Sequence, residues 1–148
     1  VFLLAPALDP DRNLAPALAH VRQNVYVTHS PADVALMGLG TSTFGTMDRK
    51  HTVSAGLVGF RIPTNLSAAD ARQYAKLRQA EWKPDLLSKG NLGGHMSWTT
   101  SAFAREYIAP IVLGRPASPI FQAAVAPATA SPTTRAANSG ASVRGGGL

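Results

Sequence analysis

Residues 1–29 decide the fold; they read VFLLAPALDPDRNLAPALAHVRQNVYVTH. The continuous apolar run at residues 1–5 predicts a strand that is buried on both faces. Asn13 can cap a short helix with one apolar stripe, and residues 25–28, which are β-branched or aromatic, predict a second strand. Strand, helix and strand within about thirty residues form a βαβ unit. The two strands are therefore expected to be parallel neighbours.

The rest of the chain adds further elements of an α/β domain. Residues 57–60 read as a short strand, and a serine-led capping box predicts a helix over residues 67–79. Residues 81–83 read as an edge strand that ends before a proline. Residues 100–113 carry the apolar stripe of a final helix. The sequence thus predicts one α/β domain with a parallel sheet over residues 1–113.

Composition excludes several classes of protein. The 148 residues are 45% hydrophobic and 15% charged, a balance typical of globular chains and not of disordered ones. No stretch approaches the roughly 18 consecutive apolar residues of a membrane span. Cysteine is absent, which excludes a disulfide scaffold, a thiolate metal site and a cysteine nucleophile. A chain without cysteine fits a reducing compartment such as the cytoplasm.

The positive charge is concentrated towards the end of the chain. The formal net charge is +6, and half of that excess comes from three arginines in residues 114–148, which contain no acidic residue. The remaining excess is a weak argument for a nucleic-acid partner, since repeated Arg-Gly units and interleaved aromatic residues are missing. The stretch is rich in Ala, Pro, Ser and Gly, a composition that cannot bury a core. Residues 114–148 are therefore expected to form a disordered tail.

Two residues are expected beyond the carboxyl ends of the strands, where parallel sheets carry their active sites. Asp33 lies in the turn after the second strand, and His95 follows two glycines just before the final helix. The imidazole could take a proton from a hydroxyl nucleophile while the carboxylate orients the ring. The plain alternative is a turn aspartate and a solvated loop histidine. A metal site formed by these two residues and His29 is a further alternative, suggested by ligand type alone.

Three segments together resemble the carboxyl-terminal half of an α/β-hydrolase. They are VFLLAPAL at 1–8, YVTHSPAD at 26–33 and GGHMS at 93–97. The triad of that family runs in the order nucleophile, acid, histidine, so the resemblance implies that Asp33 is the triad acid and His95 the triad histidine. It also implies hydrolysis of an ester or another acyl bond in a small-molecule substrate, through an acyl-enzyme and without a cofactor.

The chain departs from the family in two ways. It contains no Gly-x-Ser-x-Gly; the nearest text, GLGTS at 38–42, follows the acid instead of preceding it. The resemblance therefore implies a chain cut from a longer one, with its nucleophile before Val1, inactive alone and partnered by the missing amino-terminal half. The acid and the histidine are also further apart than the family pattern. Residues 36–66 are the expected insertion, part of a lid, and Asp48 is an alternative acid.

The first predicted strand offers a second class of function. An apolar strand with no neighbour on one side exposes unpaired backbone groups, which invite pairing with another chain. Residues 1–5 are therefore expected to need a partner. A non-catalytic protein-interaction module derived from a hydrolase is the alternative to the enzyme.

Overall fold

A mixed four-stranded sheet organises the fold. The computed structural model describes residues 1–33 and 53–124. The sheet has the order β1-β2-β3-β4, in which β1, β2 and β3 are parallel and β4 is antiparallel to β3. The predicted parallel βαβ start is confirmed, with Phe2 opposite Tyr26. The strands are β1 Phe2–Leu4, β2 Val25–His29, β3 Leu77–Glu81 and β4 Gln122–Ala123.

Short helices connect and cover the strands. Among the described residues, three α-helices precede β3: α1 Ala15–Ala19, α2 Ala55–Val58 and α3 Ala68–Gln73. The final helical stretch consists of α4 Ser101–Phe103, a π-helical turn Ala104–Ile108 and α5 Ala109–Val112. A π-helical turn is wider than an α-helical one. We attribute this turn to Pro110, which has no N–H to donate and whose ring crowds the preceding turn. In the described ranges, no helix has the length and apolar character needed to cross a membrane.

The strands bury side chains on both faces of the sheet. In β2, Val27 points towards the core that includes residues of α1 and α2, and Tyr26 towards the core beneath the final helical stretch. All five residues of β2 are buried, as expected for a parallel strand between two neighbours. The first core centres on Leu18, Tyr74 and Leu77, and the second on Trp98, Phe103 and Tyr107.

The predicted strand at residues 57–60 is wrong. Helix α2 occupies the first two of these residues, and Gly59 ends the helix with a φ of 77°. Four apolar residues fit a buried strand and a buried helix equally well. The choice is made by tertiary contact: the Gly56 N–H donates to the Pro6 carbonyl over 2.8 Å.

The predicted helix over residues 67–79 is correct only at its start. The Ser67 hydroxyl accepts a hydrogen bond from the Asp70 N–H over 3.1 Å and caps α3. The chain then leaves the helix through a 3-10 turn, Tyr74–Lys76, and continues as β3. The predicted edge strand at residues 81–83 is also wrong, since β3 ends at Glu81 and lies between β2 and β4. Pairing with both neighbours overrides the helix propensity of this segment.

Part of the expected tail belongs to the folded body. Phe121 is buried, and its ring meets that of Tyr26 edge-on with centroids 5.1 Å apart. β4 follows at once and pairs with Arg78 and Gln79 of β3. A single large aromatic side chain thus ties down a segment of otherwise low-complexity composition. Residues 125–148 lie outside the described residues.

The expected lid insertion falls into two parts. Residues 36–52, together with the alternative acid Asp48, lie outside the described residues. The part that is described packs on the body: Ala55 and Phe60 are buried in the first core. The Gly56 carbonyl accepts a hydrogen bond from the Ser30 N–H over 2.9 Å. This part therefore supports the turn after β2.

Candidate active site

Asp33 lies at the carboxyl end of β2. The strand ends at His29, and a single 3-10 turn, Pro31–Asp33, follows. The Asp33 N–H donates to the Ser30 carbonyl over 3.1 Å, which closes the turn. The carboxylate side chain is only 3% exposed. A buried carboxylate needs hydrogen-bond donors around it, and the loop that follows β3 supplies them.

His95 meets this carboxylate from that loop. Asp33 Oδ1 accepts a hydrogen bond from the His95 backbone N–H over 2.7 Å. Asp33 Oδ2 lies 3.4 Å from Nδ1 of the His95 ring, which is 38% exposed. The structure thus brings together the two residues that the sequence singles out, although 62 positions separate them. The acid is buried, and the imidazole reaches the surface.

This arrangement is suited to proton transfer. A carboxylate beside Nδ1 favours the tautomer that carries its proton there and leaves Nε2, on the far side of the ring, as the basic nitrogen. Such a base can accept a proton from a hydroxyl group. The pair also stands beyond the carboxyl ends of β2 and β3, where parallel sheets place their active sites.

Three residues that sequence reasoning missed hold the His95 loop. The Ser30 hydroxyl donates to the Gly93 carbonyl over 2.6 Å. The Gly93 N–H donates to Asn91 Oδ1 over 2.9 Å, and Trp82 Nε1 donates to the Asn91 carbonyl over 3.0 Å. The only sequence signal was the pair of glycines before the histidine. Their neighbours Ser30, Trp82 and Asn91 carry no local pattern.

The comparisons with known proteins add no relative. No protein-family model, no curated protein and no solved structure matches this chain. The chemistry of the site therefore has to be argued from its geometry, with Asp33 and His95 as its centre.

His29 takes no part in this pair. Its pKa is lowered because burial disfavours the charged imidazole, and the negative charge of Glu81 only partly opposes this. Its Nδ1 is buried and has no hydrogen-bond partner among the described residues. The ring lines a cavity of about 410 Å³ together with Glu81 and Lys83. Within residues 1–33 and 53–124, no three His, Asp or Glu side chains group to hold a metal ion, so the metal-site alternative is not formed.

A nucleophile is not in place beside the imidazole in the described ranges. Asp33 contacts both the backbone N–H and the ring of His95. Ser97 and Ser101, the nearest serines in sequence, belong to the 3-10 helix His95–Thr99 and to α4. Neither stands on the strand-to-helix turn that exposes the nucleophile in α/β-hydrolases.

Proposed function

We propose that this chain is the acid-and-histidine part of a serine hydrolase with an α/β-hydrolase fold. The observation that carries the proposal is the contact of the buried Asp33 carboxylate with His95 at the carboxyl ends of two adjacent parallel strands. The order along the chain, acid before histidine, is the order in that family. The substrate class is an ester or another acyl compound.

Each residue has one role in the proposed reaction. His95 Nε2 takes the proton of a serine hydroxyl as the serine oxygen attacks the acyl carbon, and then returns that proton to the leaving group. A water molecule repeats the attack on the acyl-enzyme, and its proton passes through the same nitrogen back to the serine. Asp33 stays ionised, holds the ring and stabilises the imidazolium that forms.

The serine is proposed to come from a segment that docks on the edge of β1 that faces away from β2, where residues 1–33 and 53–124 provide no strand. The Val1 carbonyl and the Ala5 N–H bond to β2 over 2.9 and 3.1 Å. In a parallel ladder, successive residues direct their backbone groups to opposite sides. Phe2 and Leu4 therefore point theirs away from β2, ready for another strand. Because the 148 residues contain no Gly-x-Ser-x-Gly, the chain alone is expected to be inactive.

Reconstitution tests this proposal. The chain is produced together with the segment encoded before the Val1 codon, and the hydrolysis of p-nitrophenyl esters and labelling by a fluorophosphonate are measured. His95→Ala is expected to lower kcat about a millionfold and Asp33→Asn about 10⁴-fold. His20→Ala, at an exposed position, is the matched control and should leave kcat unchanged.

Two results would overturn the proposal. One is ester hydrolysis by the reconstituted protein that His95→Ala leaves intact. The other is a complete absence of hydrolysis and labelling when a Gly-x-Ser-x-Gly segment is present and folded. Hydrolysis by the 148-residue chain alone would instead show that the nucleophile lies in this chain. It would contradict the proposal that a docking segment supplies the serine.

A second candidate function is supported by the same edge. Exposed apolar side chains stand near β1, with Val1 64% and Val112 70% exposed. Both residues line a cavity of about 600 Å³ beside Phe2 and Tyr26. Strand edges of this kind accept a strand from another chain. A non-catalytic interaction module that binds through β1 is therefore the alternative, and a proline in β1 that removes one outward N–H tests it.

A further inference from the structure

The loop that carries His95 is fixed from inside by Asn91. This side chain is fully buried, and its Oδ1 accepts the Gly93 N–H over 2.9 Å. We propose that Asn91 is a positioning residue that sets the angle of the His95 ring against Asp33. The importance of this for catalysis rests on the function proposed above, whereas the position of the ring can be measured without it.

An asparagine at position 91 lowers the stability of the folded chain. Asn91 Nδ2 is buried and finds no hydrogen-bond partner in the described ranges. A buried unpaired amide donor lowers stability, and a leucine of similar size would avoid that loss. What leucine cannot provide is the oxygen that receives the Gly93 N–H. Asn91 thus provides the Oδ1 acceptor for the Gly93 N–H, although its Nδ2 has no described partner.

Gly93 is held on both sides of its backbone. Asn91 holds its N–H, and the Ser30 hydroxyl donates to its carbonyl over 2.6 Å. Its φ is 84°, and a Cβ at this position would lie 2.9 Å from Trp82 Cε2. Ser30 begins the turn that ends at Asp33. The loop of the histidine and the turn of the acid are therefore fastened to each other at Gly93.

The two hydrogen bonds that hold Gly93 also restrain His95, which lies two positions later in the chain. Only Gly94 separates Gly93 from His95, whose N–H reaches Asp33 Oδ1 over 2.7 Å. The ring contact between Nδ1 and Oδ2, at 3.4 Å, lies just beyond an ordinary hydrogen bond. A small rotation of the Gly93 peptide would therefore change the distance between Nδ1 and Oδ2. Loss of the Asn91 acceptor would release that peptide.

The test measures the His95 ring in the 148-residue chain. Asn91→Leu removes the acceptor and keeps the volume. Tyr74→Phe is the matched control, since it deletes a buried hydroxyl that accepts the Leu14 N–H over 2.8 Å in the other core. The readout is the ¹⁵N chemical shifts of the two ring nitrogens by NMR, with urea unfolding recorded for each variant.

We expect one dominant tautomer, with the proton on Nδ1, in the original chain and in Tyr74→Phe. Asn91→Leu should show the averaged shifts of a ring that exchanges between both tautomers. Unchanged shifts in Asn91→Leu would overturn the proposal, and so would equal changes in Tyr74→Phe. Should Asn91→Leu fail to fold, Asn91→Ala, which removes the same acceptor with a smaller side chain, gives the same reading.

The two proposals fail separately. Suppose that the His95 ring in Asn91→Leu exchanges between both tautomers but that reconstitution yields no hydrolase activity. Asn91 then positions His95 in a site that is not the active site of a hydrolase. If reconstitution yields a hydrolase and Asn91→Leu leaves both the ring shifts and kcat unchanged, Asn91 is a packing residue and the hydrolase stands.

Discussion

The Asp33 carboxylate contacts His95 at two different places. Oδ1 accepts the His95 backbone N–H over 2.7 Å, and Oδ2 lies 3.4 Å from the ring nitrogen Nδ1. The short bond is the one to the backbone, so the acid holds the loop more firmly than it holds the ring. Asp33 consequently has a structural role that is open to measurement without substrate or nucleophile.

Replacement of Asp33 by alanine should destabilise the chain. The change removes a charge-assisted hydrogen bond and leaves the His95 N–H without this acceptor, a loss of about 2 kcal/mol. The free energy of unfolding in urea measures it. Asp11→Ala is the control, because Asp11 pairs with Arg61 over 2.9 Å with both side chains more than half exposed. Such a pair contributes about 1 kcal/mol at most, and equal losses in the two variants would contradict the structural role of Asp33.

Gly56 should not tolerate a methyl group. A Cβ at this position would lie 2.7 Å from the backbone carbon of Ala5, and Ala5 itself has a φ of 44° that alanine rarely adopts. Gly56→Ala should therefore cost about 2–3 kcal/mol of unfolding free energy through overpacking. Gly114→Ala is the matched control: its φ is 75°, but no atom lies within 4 Å of the added carbon. Backbone strain alone should cost about 1 kcal/mol there, and a control loss as large as that of Gly56→Ala would contradict the close contact.

The parts of the fold that the sequence predicts are those whose signal is local. β2 consists of β-branched and aromatic residues, and the turn after it contains a proline, so both the strand and the position of Asp33 could be expected. β3 could not be, because its residues Leu77–Glu81 have no strand pattern and become a strand by pairing with β2 on one side and β4 on the other.

The candidate site shows the same division. His95 stands out because two glycines precede it, and glycines let a loop approach other backbone closely. Asn91 does not stand out, since nothing in the sequence shows that its side chain is buried or that its oxygen meets Gly93. Its burial arises from contacts of the loop with Trp82 and Leu86, which only the folded chain brings together.

Acid should destabilise the chain through His29. Burial lowers the pKa of this imidazole below its usual 6.5, and the Glu81 charge only partly restores it. Between the folded-state pKa and 6.5, the unfolded chain therefore binds a proton that the folded chain does not. Stability is retained above pH 6.5 and falls as the pH drops through that interval. Urea unfolding at a series of pH values measures this slope.

A pair of histidine variants isolates this contribution. His29→Gln keeps a polar side chain without a titrating ring, so the fall in unfolding free energy below pH 6.5 should become shallower. His20→Gln, at an exposed histidine, should leave the slope as it is. A slope that is unchanged in His29→Gln would show that other groups cause the acid sensitivity.

Proline at position 4 should block the edge of β1 that faces away from β2 without damaging the sheet. The Leu4 N–H points away from β2, so its removal leaves the ladder between β1 and β2 complete, whereas it deprives any added strand of a hydrogen bond. Leu4→Ala is the control for the lost side chain, and Leu3→Pro should unfold the edge because the Leu3 N–H serves the ladder. In sedimentation velocity, Leu4→Pro should show less self-association than Leu4→Ala. Equal association in these two variants would mean that β1 does not bind other chains through its backbone, and the interaction-module function would lose its support.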